Sequence, residues 1–118
     1  MFSIEEIRFY CLAKIGVEES TPFREEVLVF KVGGKIFALL DIEKGETIGL
    51  KYHTAKIDDL RAEFSGVLPG YHMNKRHWNT VIIGENLPKN IKVWIDVSYN
   101  LVFDKLSKKE KDNLLSGK

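Results

Sequence analysis

Two apolar, β-branched runs separated by a pair of glycines constrain the fold of this chain more than any other feature. Residues 27–32 and 35–40 are rich in Val, Phe, Ile and Leu, and Gly33 and Gly34 lie between them. Adjacent glycines tolerate the positive φ angles of a two-residue hairpin turn, and both flanking runs have strand composition. The segment therefore predicts an antiparallel β-hairpin.

The elements around this hairpin follow from periodicity and capping signals. Apolar residues at helical spacing predict a first helix over residues 4–15, and Ser3 and Glu6 have the spacing of a capping box at its start. Residues 18–26 are polar and predict a connection. Residues 47–51 follow a second turn and predict a third strand of the same antiparallel meander.

The second half of the chain predicts two further helices and at least one strand. Thr54 is a suitable N-cap for a helix over residues 55–64, in which the charged head of Arg61 is expected to stay in solvent. Residues 78–83 predict a strand, and Pro88 suits the first position of a long helix. The core face of that helix is expected to be Ile91, Trp94, Ile95, Ser98, Val102 and Leu106.

Together these elements predict one α+β domain, with three main helices packed on an antiparallel sheet of four to five strands in the order α-β-β-β-α-β(β)-α. The domain is expected to span residues 1–106. Residues 107–118 form a charged tail, in which the capping-box spacing of Ser107 and Glu110 allows a short final helix.

Length, charge and cysteine content limit the classes of function. The chain has 118 residues, a formal net charge of +1 and a single cysteine, Cys11. Such a length suits one domain, and no apolar run approaches the ~20 residues needed to span a bilayer, so we expect no membrane span in this sequence. One cysteine cannot form an internal disulfide, which fits a reducing compartment. We therefore expect a cytoplasmic protein.

A polar and aromatic segment, residues 69–81, is the main candidate for a functional site. It begins with a Pro-Gly turn and contains two His, a Lys, an Arg, two Asn, a Tyr and a Trp. Lys75, Arg76 and His77 put two fixed positive charges and one titratable group in succession. Cations bind phosphate, whereas the amides of Asn74 and Asn79 could bind base edges. The segment indicates recognition of a nucleic acid.

The same residues give weak support for catalysis or for a metal site. Zinc normally requires three or four ligands, and His72 and His77 have no partner motif that would supply the others. The one other histidine in the sequence is His53. Cys11 lies on an apolar helix face, where a thiol behaves as a small hydrophobe. No Ser lies in a Gly-x-Ser-x-Gly motif. We therefore expect no metal, no cofactor and no enzymatic activity.

Three stretches resemble the MmcQ/YjbR family of small bacterial proteins. Residues 69–81 are close to the family pattern Pro-Gly-Tyr-His-Met-Asn-Lys-x-His-Trp-Asn-Thr-Val, and residues 29–38 and 96–102 also match. Lys51, before the second helix, stands at a familiar position of the family. The resemblance implies an α+β fold likened to a double-wing DNA-binding arrangement. A DNA-binding function follows from it only by analogy of fold.

Residues and resemblance together favour a small non-enzymatic DNA-binding protein. Phosphate contacts are expected from basic residues, and base contacts from two amides; the full predicted set is Lys35, Lys51, Asn74, Lys75, Arg76, His77 and Asn79. The alternative is a module that binds a protein or a small ligand in an aromatic pocket around Tyr71, His72 and Trp78, with Lys35 at its wall. An enzyme using His72 or His77 is the third hypothesis.

Overall fold

A six-stranded antiparallel sheet forms the frame of the protein. The structure, a computed structural model, describes residues 2–43, 45–70 and 73–116. In chain order the elements are α1 (Ile4–Leu12), β1 (Val17–Ser20), β2 (Val27–Val32), β3 (Lys35–Asp41), β4 (Thr47–Lys51), α2 (Ile57–Glu63), β5 (Val67–Pro69), β6 (Trp78–Ile82), a 3-10 turn (Ile83–Glu85), α3 (Pro88–Phe103) and α4 (Lys108–Leu115). The strands lie in the order β1-β2-β3-β4-β6-β5. The predicted α+β class is confirmed.

The central hairpin forms as the sequence predicted. Strands β2 and β3 pair through Val32 and Lys35, and Gly33 and Gly34 have φ angles of 59° and 78°. Further along the pair, Lys31 lies opposite Ile36 but Phe30 lies opposite Ala38, so Phe37 is the extra residue of a β-bulge.

The sheet has one strand more than the four to five predicted, and its two outermost strands were the hardest to foresee. Residues 18–20 were expected in a connection, but they belong to β1, which pairs with β2. An edge strand needs only one hydrogen-bonded neighbour and tolerates charged side chains, so the two glutamates of β1 do not exclude it. Strand β5 ends at Pro69, a residue that sheets accept at an edge.

Helix boundaries also differ from the sequence prediction at two places. Helix α1 ends at Leu12, three residues earlier than predicted, and its C-cap is Ala13. Helix α2 begins at Ile57, because the chain before it forms a turn closed by the Lys56 N–H and the His53 carbonyl at 3.0 Å. The prediction of Thr54 as the N-cap is therefore wrong.

The hydrophobic core lies between one face of the sheet and helices α1 and α3. All six residues predicted for the core face of the long helix are buried, but α3 ends at Phe103, so Leu106 reaches the core from the turn after the helix. The two helices are also joined by polar contacts, because the Tyr10 hydroxyl donates to Asp96 at 2.8 Å and Lys14 pairs with the same carboxylate at 2.5 Å. Burial and this carboxylate raise the pKa of Tyr10 to about 12.

Helix α4 is the last element of the chain that the structure describes. Its capping box is present, with the Glu110 N–H donating to the Ser107 hydroxyl at 3.1 Å. Leu114 packs against the core and lies against Gly16, whereas Leu106, just before α4, lies against Gly33 of the hairpin turn. Within the described residues, no helix is long and apolar enough to cross a membrane.

Candidate anion-binding site

Lys51 occupies the last position of β4, where the sheet meets helix α3. Its backbone N–H donates to the Ser98 hydroxyl at 2.8 Å, and that hydroxyl donates to the Phe37 carbonyl at 2.5 Å. The β-bulge at Phe37 ends the regular pairing of β3 with β4, whose last paired residues are Ala38 and Leu50. Ser98 therefore replaces a missing bond of the sheet with a bridge through its side chain, and fixes the end of β4 to α3.

A recess with a volume of about 300 Å³ opens beside Lys51. Its polar and charged lining residues are Lys51, His53, Thr54, His77 and Lys105. Its other lining residues are Tyr52, Ala55 and Leu101. The tyrosine and His53 rings meet edge to face, with their centroids 5.5 Å apart. None of the described residues that line this recess is acidic, so it offers a cationic surface without a built-in counter-ion.

The electrostatic environment of Lys51 reflects this concentration of cations. Partial burial, followed by the positive charges of Lys105 and Lys35, lowers the pKa of Lys51 below its ordinary value of 10.5. The ammonium lies 5.7 Å from the centroid of the Trp78 ring, a cation–π contact that supports the charged form. An anion entering the recess would relieve the repulsion among the three lysines.

The recess contains residues that sequence reasoning missed. Lys105 was assigned to the charged tail, and His53 was considered only as an isolated histidine before α2. Leu101 lies in the last turn of α3, and Lys105 follows in the turn that continues from it, where its N–H donates to the Val102 carbonyl at 3.2 Å; in the sequence the two residues have i, i+4 spacing. That spacing was the available signal for Lys105. His53 has no comparable signal, because its position depends on the turn that precedes α2.

His77 reaches the recess through a compact turn. Its own N–H and that of Trp78 donate to the Asn74 carbonyl at 3.1 and 3.0 Å. The His77 carbonyl in turn accepts the Tyr52 N–H at 3.0 Å. This last bond joins the turn before β6 to the segment after β4, so both walls of the recess are fixed to each other.

Arg61 of α2 organises the same turn from the other side. Its Nε donates to Asn79 Oδ1 at 2.6 Å and its Nη2 donates to the carbonyls of Trp78, at 3.1 Å, and Lys75. The expectation that its head lies in solvent is wrong, since the side chain is only 17% exposed. The turn leaves carbonyls pointing inward, and a guanidinium supplies the several donors they need.

Burial rules out the predicted roles of two residues: Asn79 as a DNA contact and Trp78 as a wall of the alternative aromatic pocket. Asn79 is 2% exposed, with its carbonyl oxygen bound to Arg61 and its Nδ2 the buried side-chain atom without a partner among the described residues. It cannot reach a base edge, because alternation along β6 turns it toward the core side of the sheet. Trp78 is 8% exposed and cannot act as an open pocket wall. Tyr71 and His72, its predicted companions in the aromatic pocket, lie outside the described residues.

The other residues that were predicted to contact DNA are not buried, but they do not form a single cluster. Asn74, Lys75 and Arg76 are exposed at the turn before β6. Asn74 Oδ1 accepts the Arg76 N–H at 2.9 Å, and Lys75 Nζ donates to the Gly70 carbonyl at 3.2 Å. Lys75 is thus directed to the β5 end of the turn. The structure brings Lys51 and His77 together, with Lys35 within electrostatic reach.

The described side chains give little support for a metal site or for a reactive thiol. In the parts of the chain that the structure describes, no group of three or more His, Cys, Asp or Glu side chains is placed to hold a metal ion. Burial raises the pKa of the Cys11 thiol to about 12, with Lys14 opposing this shift and Asp96 adding to it. The thiol is therefore protonated near neutral pH and a poor nucleophile.

These observations describe a small α+β protein with a cationic recess at one end of its sheet. The sequence profile of the YjbR family matches residues 12–101, and the chain belongs to this family. It is 39% identical over 103 residues to YbdF of Escherichia coli O157:H7, covering 86% of this chain and 84% of that one. It is 34% identical over 115 residues to YjbR of Escherichia coli strain K12, covering 96% and 97%.

Solved structures share this fold. Deinococcus radiodurans protein DR2400, whose domain is described as DUF419, superposes with a TM-score of 0.87 at 32% identity. That match covers 95% of this chain and 87% of the other. A Pseudomonas syringae protein superposes with a TM-score of 0.70 at 28% identity, covering 84% and 97%. The predicted membership of the MmcQ/YjbR family is confirmed.

Proposed function

We propose that this protein binds DNA through the phosphate backbone and has no catalytic activity. The observation that carries the proposal is a recess that Lys51 and Lys105 line, with Lys35 close enough to act on Lys51 electrostatically and no acid among the described lining residues. Surface cations gain from binding polyphosphate, because each phosphate contact releases condensed counter-ions. The net charge of +1 limits long-range attraction, so the binding is local and of modest affinity.

The cationic residues have different roles in this proposal. Lys51, at the wall of the recess, is the central contact, Lys105 lines the same recess, and Lys35 acts on Lys51 electrostatically. Arg76, at the neighbouring turn, adds an exposed charge. Lys75 contributes less, because its ammonium already donates to the Gly70 carbonyl.

We expect binding to be largely independent of DNA sequence. Reading a base requires an amide or guanidinium directed at its edge. Asn79 is buried, and the side-chain oxygen of Asn74, Oδ1, already accepts the Arg76 N–H within its turn. Phosphate contacts alone fix position without conveying sequence.

The family resemblance supports this function and its location. The β2–β3 hairpin, with Lys35 beside its turn, would serve as a wing if the fold binds DNA in the double-wing arrangement to which the family is likened. A cytoplasmic location belongs to the same proposal, since a single buried cysteine suits a reducing compartment and DNA is found there in bacteria.

A fluorescence-anisotropy titration tests the proposal. A labelled duplex of random sequence should bind at about 50 mM salt, and weaken to the roughly 10⁻⁴–10⁻⁶ M range of non-specific complexes at physiological salt. Two unrelated duplex sequences should give the same dissociation constant. Failure to bind any duplex or single strand at low salt would reject the function.

Ligand binding is a second candidate, favoured by a separate groove between the start of α1 and the β5–β6 edge of the sheet. Its volume is about 950 Å³, and Phe2, Leu68, Thr80 and Ile82 are among its walls. This volume suits a drug-sized molecule. A stabilising ligand found by a thermal-melt screen should lose its effect in Leu68→Arg. A screen without any stabiliser would count against this candidate.

A further inference from the structure

We infer that the recess beside Lys51 is a site for a phosphate monoester, such as the terminal phosphate of a nucleic-acid strand, and that it discriminates against internal phosphodiesters. The inference rests on the proposed function, since a DNA strand is the expected source of the group. A free mononucleotide presents the same chemistry.

The size of the recess favours an end group. Its 300 Å³ corresponds to the volume of about ten liquid waters. This space holds a phosphate and part of an attached sugar. An internal phosphodiester continues into a nucleotide on both sides, so a recess of this volume accommodates it less completely than an end group. A monoester has one substituent and three free oxygens, which can enter first.

The charge of the recess favours a dianion. Lys51 and Lys105 line it, and Lys35 is near enough to affect the same site electrostatically. A phosphate monoester carries about −1.5 to −2 charges at pH 7, whereas a diester carries one. Nearby acid is limited: Glu110, whose carboxylate accepts the Ser107 N–H of its capping box, also interacts with Lys35. Within the recess itself the cations remain available.

Hydrogen-bond donors surround the same space. His53 and His77 come from separate segments on its two sides, and the hydroxyl of Thr54 adds another donor. Three unesterified oxygens accept several such bonds at once, and charge-assisted bonds are stronger than neutral ones. A diester has two free oxygens and uses fewer of these donors.

The walls are fixed before any ligand arrives. Ser98 fixes the backbone of Lys51, and the Tyr52 N–H fixes the carbonyl of His77. A site whose backbone is already positioned loses less conformational freedom on binding. Discrimination between two similar phosphates requires this kind of preformed geometry.

The test compares single-stranded oligonucleotides of one sequence that end in a 5′-phosphate, a 3′-phosphate or hydroxyls only. At least one phosphorylated end should bind roughly tenfold more tightly, as expected for added charge-assisted hydrogen bonds. Lys51→Met should reduce that ratio to near one, whereas Lys51→Arg should retain part of it. Lys89→Met removes a charge at the far end of α3 and should leave the ratio unchanged. Circular dichroism melts establish that each variant is folded.

The outcomes separate this inference from the proposed function. Equal affinity for phosphorylated and hydroxyl ends, with binding still measurable, would overturn the monoester site and leave DNA binding intact. Binding of adenosine monophosphate but of no oligonucleotide would support the site and contradict DNA binding, provided that adenosine does not compete. If neither oligonucleotides nor adenosine monophosphate perturb the amide resonances of Lys51 and His77, both proposals are wrong.

Discussion

The Ser98 hydroxyl accepts the backbone N–H of Lys51 at 2.8 Å and so fixes the backbone that carries the central cation of the recess. Ser98 is completely buried and donates at the same time to Phe37, the extra residue of the bulge. One side chain therefore completes the sheet where the bulge interrupts it. The sequence suggested only a small residue at a helix packing contact.

Ser98→Ala is expected to lower the free energy of unfolding by about 1–3 kcal/mol, because the partly buried N–H of Lys51 and the buried carbonyl of Phe37 lose their partner. Ser116→Ala is the matched control, since its hydroxyl bonds only to the exposed Asn113 carbonyl. Urea denaturation followed by tryptophan fluorescence measures both variants. Equal stability of the two would show that the bridge through Ser98 contributes nothing.

Arg61→Met should destabilise the protein by about 2–4 kcal/mol, because one guanidinium serves Asn79 and two carbonyls of the turn before β6. Arg76→Met is the control, with an expected change within about 0.5 kcal/mol at an exposed position. The same denaturation assay applies. A small effect of Arg61→Met would mean that the turn keeps its geometry without this residue.

The two glycines of the hairpin turn should respond differently to alanine. Both have positive φ angles, so each substitution strains the backbone by about 1–2 kcal/mol. At Gly33 the new Cβ would also lie 2.6 Å from the buried Leu106 side chain, whereas at Gly34 it would meet nothing within 4 Å. Thermal melts should therefore show a larger loss for Gly33→Ala, by about 1–3 kcal/mol. Equal losses would contradict the packing of Leu106 on the turn.

The lowered pKa of Lys51 predicts a pH dependence of stability. Between the folded-state pKa and 10.5, the unfolded chain binds more protons at this residue than the folded chain, so stability rises with pH. Below both pKa values the charged form weakens the folded state by a constant amount. The stability of the wild type relative to Lys51→Met should therefore increase on going from pH 7 to alkaline pH. A difference that stays constant or decreases would show that burial and the neighbouring lysines do not disfavour the charged form of Lys51.

Local sequence signals were sufficient where a single element decides the outcome. The Gly33–Gly34 turn needs only its own backbone, and the buried face of α3 follows from helical spacing alone. Both predictions are confirmed. The family pattern over residues 69–81 identified the YjbR family, although it did not show which of its side chains face solvent.

Predictions failed where distant residues supply a partner. Strand β1 carries Glu18 and Glu19 and looked like a connection, but Arg8 of α1 pairs with the second glutamate and β2 provides the backbone bonds. Arg61 seemed to be a solvent-facing residue because the carbonyls it binds come from a turn 14 to 17 residues later. Asn79 was placed at the surface for the same reason. No local pattern reveals such pairings.

The salt dependence of DNA binding tests the central claim most directly. If Lys35, Lys51 and Lys105 each contact a phosphate, the logarithm of the duplex affinity should fall against the logarithm of salt concentration with a slope of about −2.7. Lys51→Met combined with Lys105→Met should reduce that slope to about −0.9, and Lys89→Met should leave it unchanged. An unaltered slope in the double variant, or the same reduction in Lys89→Met, would contradict binding at this recess.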